Sequence, residues 1–582
     1  MKDLLLKINI LLNFENKLKL FNITIIGLFV SILEMIGIGI VPIYLGFILE
    51  PESIFNFPFL RDLGSLLRPI SSTNLIILVS LTLIIFFVFK NIIIFYLNLL
   101  QANFFKNLNI FNSKKLFEFY IKSPILNIKN INSAIAQRNI TGETVRASRF
   151  IEALISILRE AFIIISLLTL LLFVDFKSTL IVFILLGGFS LIFQNLIKSK
   201  IINKSRKAQQ ESGQINKIIF HALGAIKTTK ILNKEYHFIN NFNSSIAHVE
   251  NLNFWVSLWG KLPKLVLEIF AIVSIVSIVI FLVYYNNVNN LNESLGFLIL
   301  LGAAFVKLFP SISAINSFST TLRSSKISFN LIIDEFQKYN KISNKKNYEQ
   351  NLDYSNNKIN FKKQLTLENI FFKYPDSENY ILNDVSLNIN SNSIVGIFGR
   401  SGAGKSTLLD IITSLIKPTK GKIFVDGEMI NDTRSWQKNI GYITQDTYLL
   451  DQSIKNNIAF GEKDKDIKMD RIKKAISLSQ LKEFVDMLPN GLETIIGEKG
   501  SKISGGQIQR IAMARSLYRD NGLIILDEST NSLDQTTERN FLDDLVKLKK
   551  ICTIIIVSHK INTLKICDKV YEIKNSKIFL NN

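Results

Sequence analysis

Six predominantly apolar runs, at about 22–49, 75–100, 154–174, 178–198, 265–285 and 294–317, restrict this chain's fold more than anything else in it. Each reaches the roughly 20 residues that a helix needs to cross a hydrocarbon core. A segment in lipid has to satisfy its own backbone, so such runs become helices. Between them the loops alternate. Lys and Arg are concentrated in 1–21, 101–153 and 199–264 and sparse in 50–74, 175–177 and 286–293. The positive-inside rule then places both termini and the two long loops in the cytoplasm, with short loops outside.

The chain has 582 residues, 68 Lys+Arg and 47 Asp+Glu, a formal net charge of +21. A basic excess of that size suggests a polyanionic partner until it is divided. Residues 361–582 hold 32 Lys+Arg and 27 Asp+Glu, a net of +5, which leaves +16 for residues 1–360. The excess follows the apolar runs and reads as membrane topology; no nucleic-acid partner is expected. With 48% hydrophobic residues there is ample material to bury, which excludes a disordered chain. Two cysteines, Cys552 and Cys567, and four histidines argue against a disulfide framework or a structural zinc cluster.

The first 21 residues have an apolar run broken by Lys7 and Asn9 and read as an interfacial helix, not a signal peptide. The two long cytoplasmic loops read as extensions of the spanning helices, with turns near 123–133 and 224–233 that can touch a cytoplasmic domain. A membrane domain over 1–325 and a polar, Asn/Lys-rich linker over 326–360 are expected. An α/β domain over 361–582 follows, where short apolar runs alternate with helical segments.

In that domain an apolar strand, SIVGIF, runs into Gly399-Arg-Ser-Gly-Ala-Gly-Lys-Ser-Thr407 and then into a helix. This is the strand–loop–helix context of a P-loop. Gly399, Ser401, Gly402 and Gly404 let backbone N–H groups turn towards phosphate oxygens at a helix N-terminus. Lys405 reaches the terminal phosphates, Thr407 closes the motif, and Ser406 is a ligand for Mg²⁺. A second apolar strand, LIILDE, ends on Asp527, a further Mg²⁺ residue, and on Glu528, a candidate general base for the attacking water.

Further residues resemble the motifs of ATP-binding cassette (ABC) ATPases, in that family's order. Ile503-Ser-Gly-Gly-Gln507 is similar to the signature motif, with Ser504, Gly505, Gly506 and Gln507 as its nucleotide-contacting residues. Gln445 matches the Q-loop glutamine, which approaches Mg²⁺, and His559 the switch histidine. Tyr374 matches the aromatic that stacks on adenine, and 497–500 a short motif of exporters. Asn531-Ser-Leu-Asp534 is similar to the D-loop but departs from it at the first two positions, with Asp534 kept.

The resemblance implies a six-span α-helical membrane domain of type IV ABC exporter kind, followed by an α/β P-loop ATPase with a helical subdomain. It implies that ATP and Mg²⁺ lie between the P-loop of one copy and the signature of another. One chain carries one of each, so a homodimer in the inner or plasma membrane follows.

For the cargo, Glu34, Lys90, Glu268 and Lys307 lie within or near spans. Charge there is costly and tends to face a cavity or to pair. Residues 52–67 place Phe59, Leu60, Leu63, Leu66 and Leu67 opposite Arg61 and Asp62, as an external amphipathic helix would. With 138–143 and 262–268, this segment resembles PglK-type lipid-linked oligosaccharide flippases. The expected function is ATP-driven flipping of a lipid-linked saccharide or other glycolipid. The alternative is export of hydrophobic drugs, peptides or other lipids.

Overall fold

The computed structural model describes residues 2–49, 72–128, 131–174, 176–182, 188–286, 291–343, 358–359, 361–375, 377–444, 446–529 and 535–581. The expected external helix over 52–67 and most of the linker after Ser343 lie outside them, as do Gln445 and Asp534. Two compact units result, one built from Met1–Ser123 with Ile128–Ile342 and one from Pro124–Asn127 with Ser343–Asn582.

Among its described residues the first unit is built of helices. Its main helices are Phe14–Leu49, Ser72–Lys122, Thr144–Val174, Gly188–Gly224, Glu235–Asn286 and Leu291–Ser343. Ser72–Lys122 has 51 residues. At 1.5 Å per residue it is about 75 Å long, more than twice a hydrocarbon core of about 30 Å. Among the described residues four helical stretches are long and apolar enough to cross a membrane: Phe14–Ile48, Thr73–Lys122, Ser133–Val174 and Ile299–Lys338. The expected fourth and fifth spans fall on Gly188–Gly224, Glu235–Asn286 and residues before them, parts of which lie outside the description.

Large apolar side chains along Ser72–Lys122, among them Ile85, Phe89, Ile92 and Phe95, are exposed. In water such a face would be a liability, and in lipid it is the expected one. The buried side holds a core in which Phe150 and Phe329 stack at 4.3 Å beside Leu108, Leu116, Ile332 and Phe336. These last residues show why the linker starts later than expected. The helix Leu291–Ser343 continues through the stretch from 326, because Phe329, Ile332, Ile333 and Phe336 recur at helical spacing and are buried. Short helices mark both loop turns, Ile125–Ile128 and Ile226–Ile231.

The second unit contains two sheets. β1 (Gln364–Phe372), β2 (Leu382–Asn390), β4 (Lys420–Val425) and β5 (Glu428–Met429) form an antiparallel sheet in the order β2-β1-β4-β5. The other strands are β3 (Ile394–Gly399), β6 (Ile440–Ile443), β7 (Leu523–Asp527), β8 (Thr553–Val557), β9 (Lys569–Lys574) and β10 (Lys577–Asn581). They lie in the order β10-β9-β3-β8-β7-β6, parallel except for the edge strand β10. The residues of β8 are all buried, the pattern of a parallel strand covered on both faces. One core lies around Leu408, Leu409, Ile411 and Trp436 and another around Phe541, Leu542 and Leu545. A third core, around Ile472, Ile476 and Tyr518, belongs to the helical subdomain. Because β3, β6, β7 and β8 are parallel, their C-terminal ends share one edge, where an open α/β sheet binds ligands.

Candidate functional site

β3 delivers the glycine-rich loop to that edge, and the helix Lys405–Ile412 leaves it. Gly404, the residue before the helix, has a φ of 103°, and a Cβ there would meet the Ile381 carbonyl oxygen at 3.2 Å. Glycine is therefore required for the loop to tuck in and present its N–H groups. Lys405 is buried; its Nζ donates to the carbonyls of Gly399 at 3.0 Å and Arg400 at 3.3 Å. The same ammonium is 3.1 Å from His559 Nε2 and 3.9 Å from Glu528 Oε1.

β7 and β8 supply the groups facing this lysine. Glu528 follows β7 with a φ of 50°, a left-handed conformation uncommon for a long side chain. Its N–H bonds to the Val557 carbonyl at 3.0 Å, which ties the turn to the end of β8. From there Glu528 Oε1 lies 3.0 Å from His559 Nε2. Lysine, glutamate and histidine, far apart in sequence, thus converge beside the loop. Asp527 is one residue earlier. Its Oδ2 accepts a 2.9 Å bond from the Tyr442 hydroxyl on β6. Burial raises the Asp527 carboxyl above its ordinary pKa, the Tyr442 bond opposes this, and the neighbouring Glu528 and Asp410 charges add to it. Burial and the Asp527 charge push the Tyr442 phenol up in turn.

Ser401, Gly402 and Ser406 are exposed at the loop, while Thr407 is buried with its hydroxyl 3.2 Å from the Tyr374 hydroxyl. Tyr374 also packs edge-on against Phe372, ring centres 5.1 Å apart. Its ring stands beside the loop. The signature residues form a separate, exposed feature. Ser504 caps the helix Gly505–Tyr518 in a capping box: its N–H donates to Gln507 Oε1 at 2.8 Å, and its Oγ accepts from the Gln507 N–H. Gly505 is exposed and Gly506 half-buried, so the helix N-terminus faces outward, the polarity an anion needs.

Two contributors were not singled out in the sequence. Tyr442 sits in the IGYI segment, but its partner is fixed only by the parallel pairing of β6 with β7. Arg515 donates to the Asn457 carbonyl at 2.8 Å and the Tyr448 carbonyl at 3.2 Å and stacks over Phe460. It pins the segment after residue 445 to the signature helix, and burial lowers its pKa to about 10.

In the membrane unit, three of the four flagged charges meet. Glu34 Oε2 is 3.1 Å from Lys90 Nζ and its Oε1 is 2.6 Å from Lys307 Nζ. Glu34 and Lys90 are buried, so one carboxylate from one helix holds two ammonium groups from two others. Glu34 and Lys307 also line a cavity of about 220 Å³ with Asn98, Arg159 and Glu160. Glu268, on Glu235–Asn286, is exposed and outside this cluster.

Residues 382–531 match the family described as ABC transporter. An ATP-dependent lipid A-core flippase of Ralstonia nicotianae is 25% identical over 499 residues, covering 83% of this chain and 80% of that protein. A toxin RTX-I translocation ATP-binding protein of Actinobacillus pleuropneumoniae is 37% identical over 219 residues, 37% of this chain and 31% of that one. Among solved structures, a bacterial Atm1-family ABC exporter with ATP bound superposes with a TM-score of 0.75. It is 18% identical, and the match covers 97% of this chain and 94% of that one.

Proposed function

Because the chain is one half of an ABC exporter, a helical membrane domain joined to a single ABC ATPase domain, we propose that two identical copies use ATP to move an anionic lipid. Within that class the reading is a lipid-linked saccharide, carried from the cytoplasmic to the outer leaflet. The observation that carries it is the extent of the likeness to the lipid A-core flippase. At 499 residues that match has to include the membrane domain, where cargo is chosen. The stronger likeness to the toxin translocator is 219 residues long, about the size of an ATPase domain. The two lysines on Glu34 point the same way, since they leave the cluster one positive charge in excess.

In this proposal the chain has six spans in the inner membrane, with both termini and the ATPase cytoplasmic. Lys405 leaves its resting bonds to hold the β- and γ-phosphates, and Tyr374 stacks on the adenine. The partner subunit's Ser504, Gly505, Gly506 and Gln507 close over the γ-phosphate, and Asp534 contributes to nucleotide binding. Ser406, Gln445 and Asp527 would hold Mg²⁺. The fit is one of donor type: Ser406 is an exposed hydroxyl, and Tyr442 occupies one oxygen of Asp527 and leaves the other as a hard donor. Bound there, the ion would supply positive charge against the phosphates. Glu528 takes a proton from the attacking water while His559, 3.0 Å away, orients the γ-phosphate. Lys90 and Lys307 face the anionic head.

The test is transport by the full-length protein in proteoliposomes, with a fluorescent lipid-linked oligosaccharide in one arm and a hydrophobic drug in the other. ATP-dependent movement of the lipid is the expected result. Movement of the drug alone would transfer the assignment to drug export.

A further inference from the structure

His559 is carried by a turn that the sheet holds on one side. The Ser558 N–H, just past β8, donates to the Ile397 carbonyl at 3.3 Å. The Ser558 hydroxyl accepts from the Lys560 N–H at 3.0 Å, which bends the chain around the histidine. The His559 side chain itself is 44% exposed. With the ring so open, its placement depends on how firmly the backbone is anchored on either side.

The anchor on the far side is Glu538. It stands on the helix Gln535–Leu548, whose Phe541, Leu542, Leu545 and Leu548 are buried in one core with Ile554 and Ile556 of β8. A group mounted there is as fixed as the sheet. The glutamate is buried, and a carboxylate out of water needs partners for its oxygens. Its Oε2 accepts from Lys560 Nζ at 2.9 Å, and its Oε1 accepts from the Thr563 hydroxyl at 3.2 Å. Thr563 is fully buried. The two donors are three residues apart, about one turn, at the start of the short helix Ile561–Leu564. That helix lies tight against β3: a Cβ on Gly396 would meet Leu564 Cδ2 at 2.9 Å and Cys567 Sγ at 3.0 Å. One carboxylate thus grips both the residue after His559 and the first turn beyond it.

We propose that Glu538 is a positioning residue for ATP hydrolysis. By clamping Lys560 and Thr563 to a helix seated on β8, it holds the backbone that carries His559 and keeps the imidazole 3.0 Å from Glu528. It acts through His559, and so the inference rests on the reading of His559 as the residue that orients the γ-phosphate. Glutamine at 538 would keep the size but offer one acceptor and one N–H donor, so one of the two clamped donors would face another donor. Aspartate would keep the charge with a shorter reach.

The experiment measures ATP turnover and binding of a fluorescent ATP analogue by the full-length protein in nanodiscs, with slow variants followed in single turnover. Misplacing a catalytic group by about 1 Å costs on the order of 10²-fold, and a loosened clamp displaces it by less, so Glu538→Gln is expected to lower kcat about tenfold. KM and the analogue's Kd stay within about twofold, the pattern of an interaction that matters only in the transition state. Glu538→Asp recovers part of the rate. In a His559→Ala background, Glu538→Gln changes kcat by less than about twofold, because residues that act as a unit are not additive. Wild-type kcat in Glu538→Gln, beside a lost rate in His559→Ala, overturns this inference alone. Wild-type kcat in His559→Ala overturns the reading of His559 and the inference with it. A Glu538→Gln effect undiminished in the His559→Ala background makes the clamp a contact of general stability and also overturns the inference. If Glu538→Gln does not fold, Lys560→Met and Thr563→Val each remove one arm of the clamp and are read by the same outcomes.

Discussion

Glu528 carries the heaviest chemical assignment on one residue. It is held in a left-handed turn, tied to β8 through its N–H, and set 3.0 Å from His559. Glu528→Gln keeps that shape and removes the carboxylate proposed as the base. ATP binding is expected to survive and turnover to fall by about 10²–10⁴-fold, the range for general-base catalysis. Retained hydrolysis in a phosphate-release assay would take Glu528 out of that role. A second prediction concerns Asp426, which accepts backbone N–H bonds from Lys362, Lys363 and Gln364 at 2.8, 2.7 and 2.9 Å. Partial burial alone would raise its pKa, but the three bonds outweigh it and hold the carboxyl below its ordinary range. A depressed carboxylate pKa stabilises the fold above the unfolded value of about 3.9, and that contribution is lost as pH falls through the lower folded value. Asp426→Ala is expected to cost about 1–2 kcal/mol near neutral pH, with the difference from wild type disappearing in strong acid. Thermal midpoints across pH measure this, and a pH-independent difference would contradict it.

At the scale of elements, what was legible in the sequence divides by distance along the chain. The P-loop was legible because residues 399–407 act as one local piece, with strand before and helix after. The signature motif was legible for the same reason, since 503–507 is one local piece, whereas the capping box between Ser504 and Gln507 was not read from it. The bond between Tyr442 and Asp527 was not, because it depends on which strand lies beside β7. The helical stretch after residue 326 is signalled by Phe329, Ile332, Ile333 and Phe336, but the polar residues around them mask that spacing. The sequence also flagged Glu34, Lys90 and Lys307 without joining them, since pairing depends on how three helices rotate against each other. That pairing makes a prediction. Glu34→Gln strands two lysines around an uncharged amide. It is expected to destabilise the membrane domain by about 3–5 kcal/mol, as breaking a buried pair does. Replacing Glu34 and Lys90 together with Met is expected to cost less. Thermal unfolding in detergent followed by size exclusion compares the two, and equal midpoints would mean that the cluster is not held by charge. Ser504→Ala removes the helix cap, worth about 1 kcal/mol, whereas Ser504→Thr keeps a capping hydroxyl. The alanine variant is expected to show the lower ATPase rate, and equal rates would separate the cap from catalysis.

For the whole molecule, the net charge of +21 separates into parts with different causes. Most of it lies in residues 1–360, with the membrane domain, and the ATPase is nearly balanced. What remains is local: a carboxylate shared by two lysines in the helical unit, the cluster proposed to face the cargo. Each chain offers one phosphate loop and one outward-facing signature helix, so a closed ATP site needs two chains. That links the chemistry at Glu528 to the membrane helices through assembly, and makes transport the property in which every part of the account meets. The most direct measurement is ATP-dependent translocation of a fluorescent lipid-linked saccharide in proteoliposomes, comparing wild type with Glu528→Gln. The account predicts progressive movement of the lipid across the bilayer with the wild type and ATP, and none with the variant. Movement that is independent of ATP, or equal in the two proteins, would contradict it.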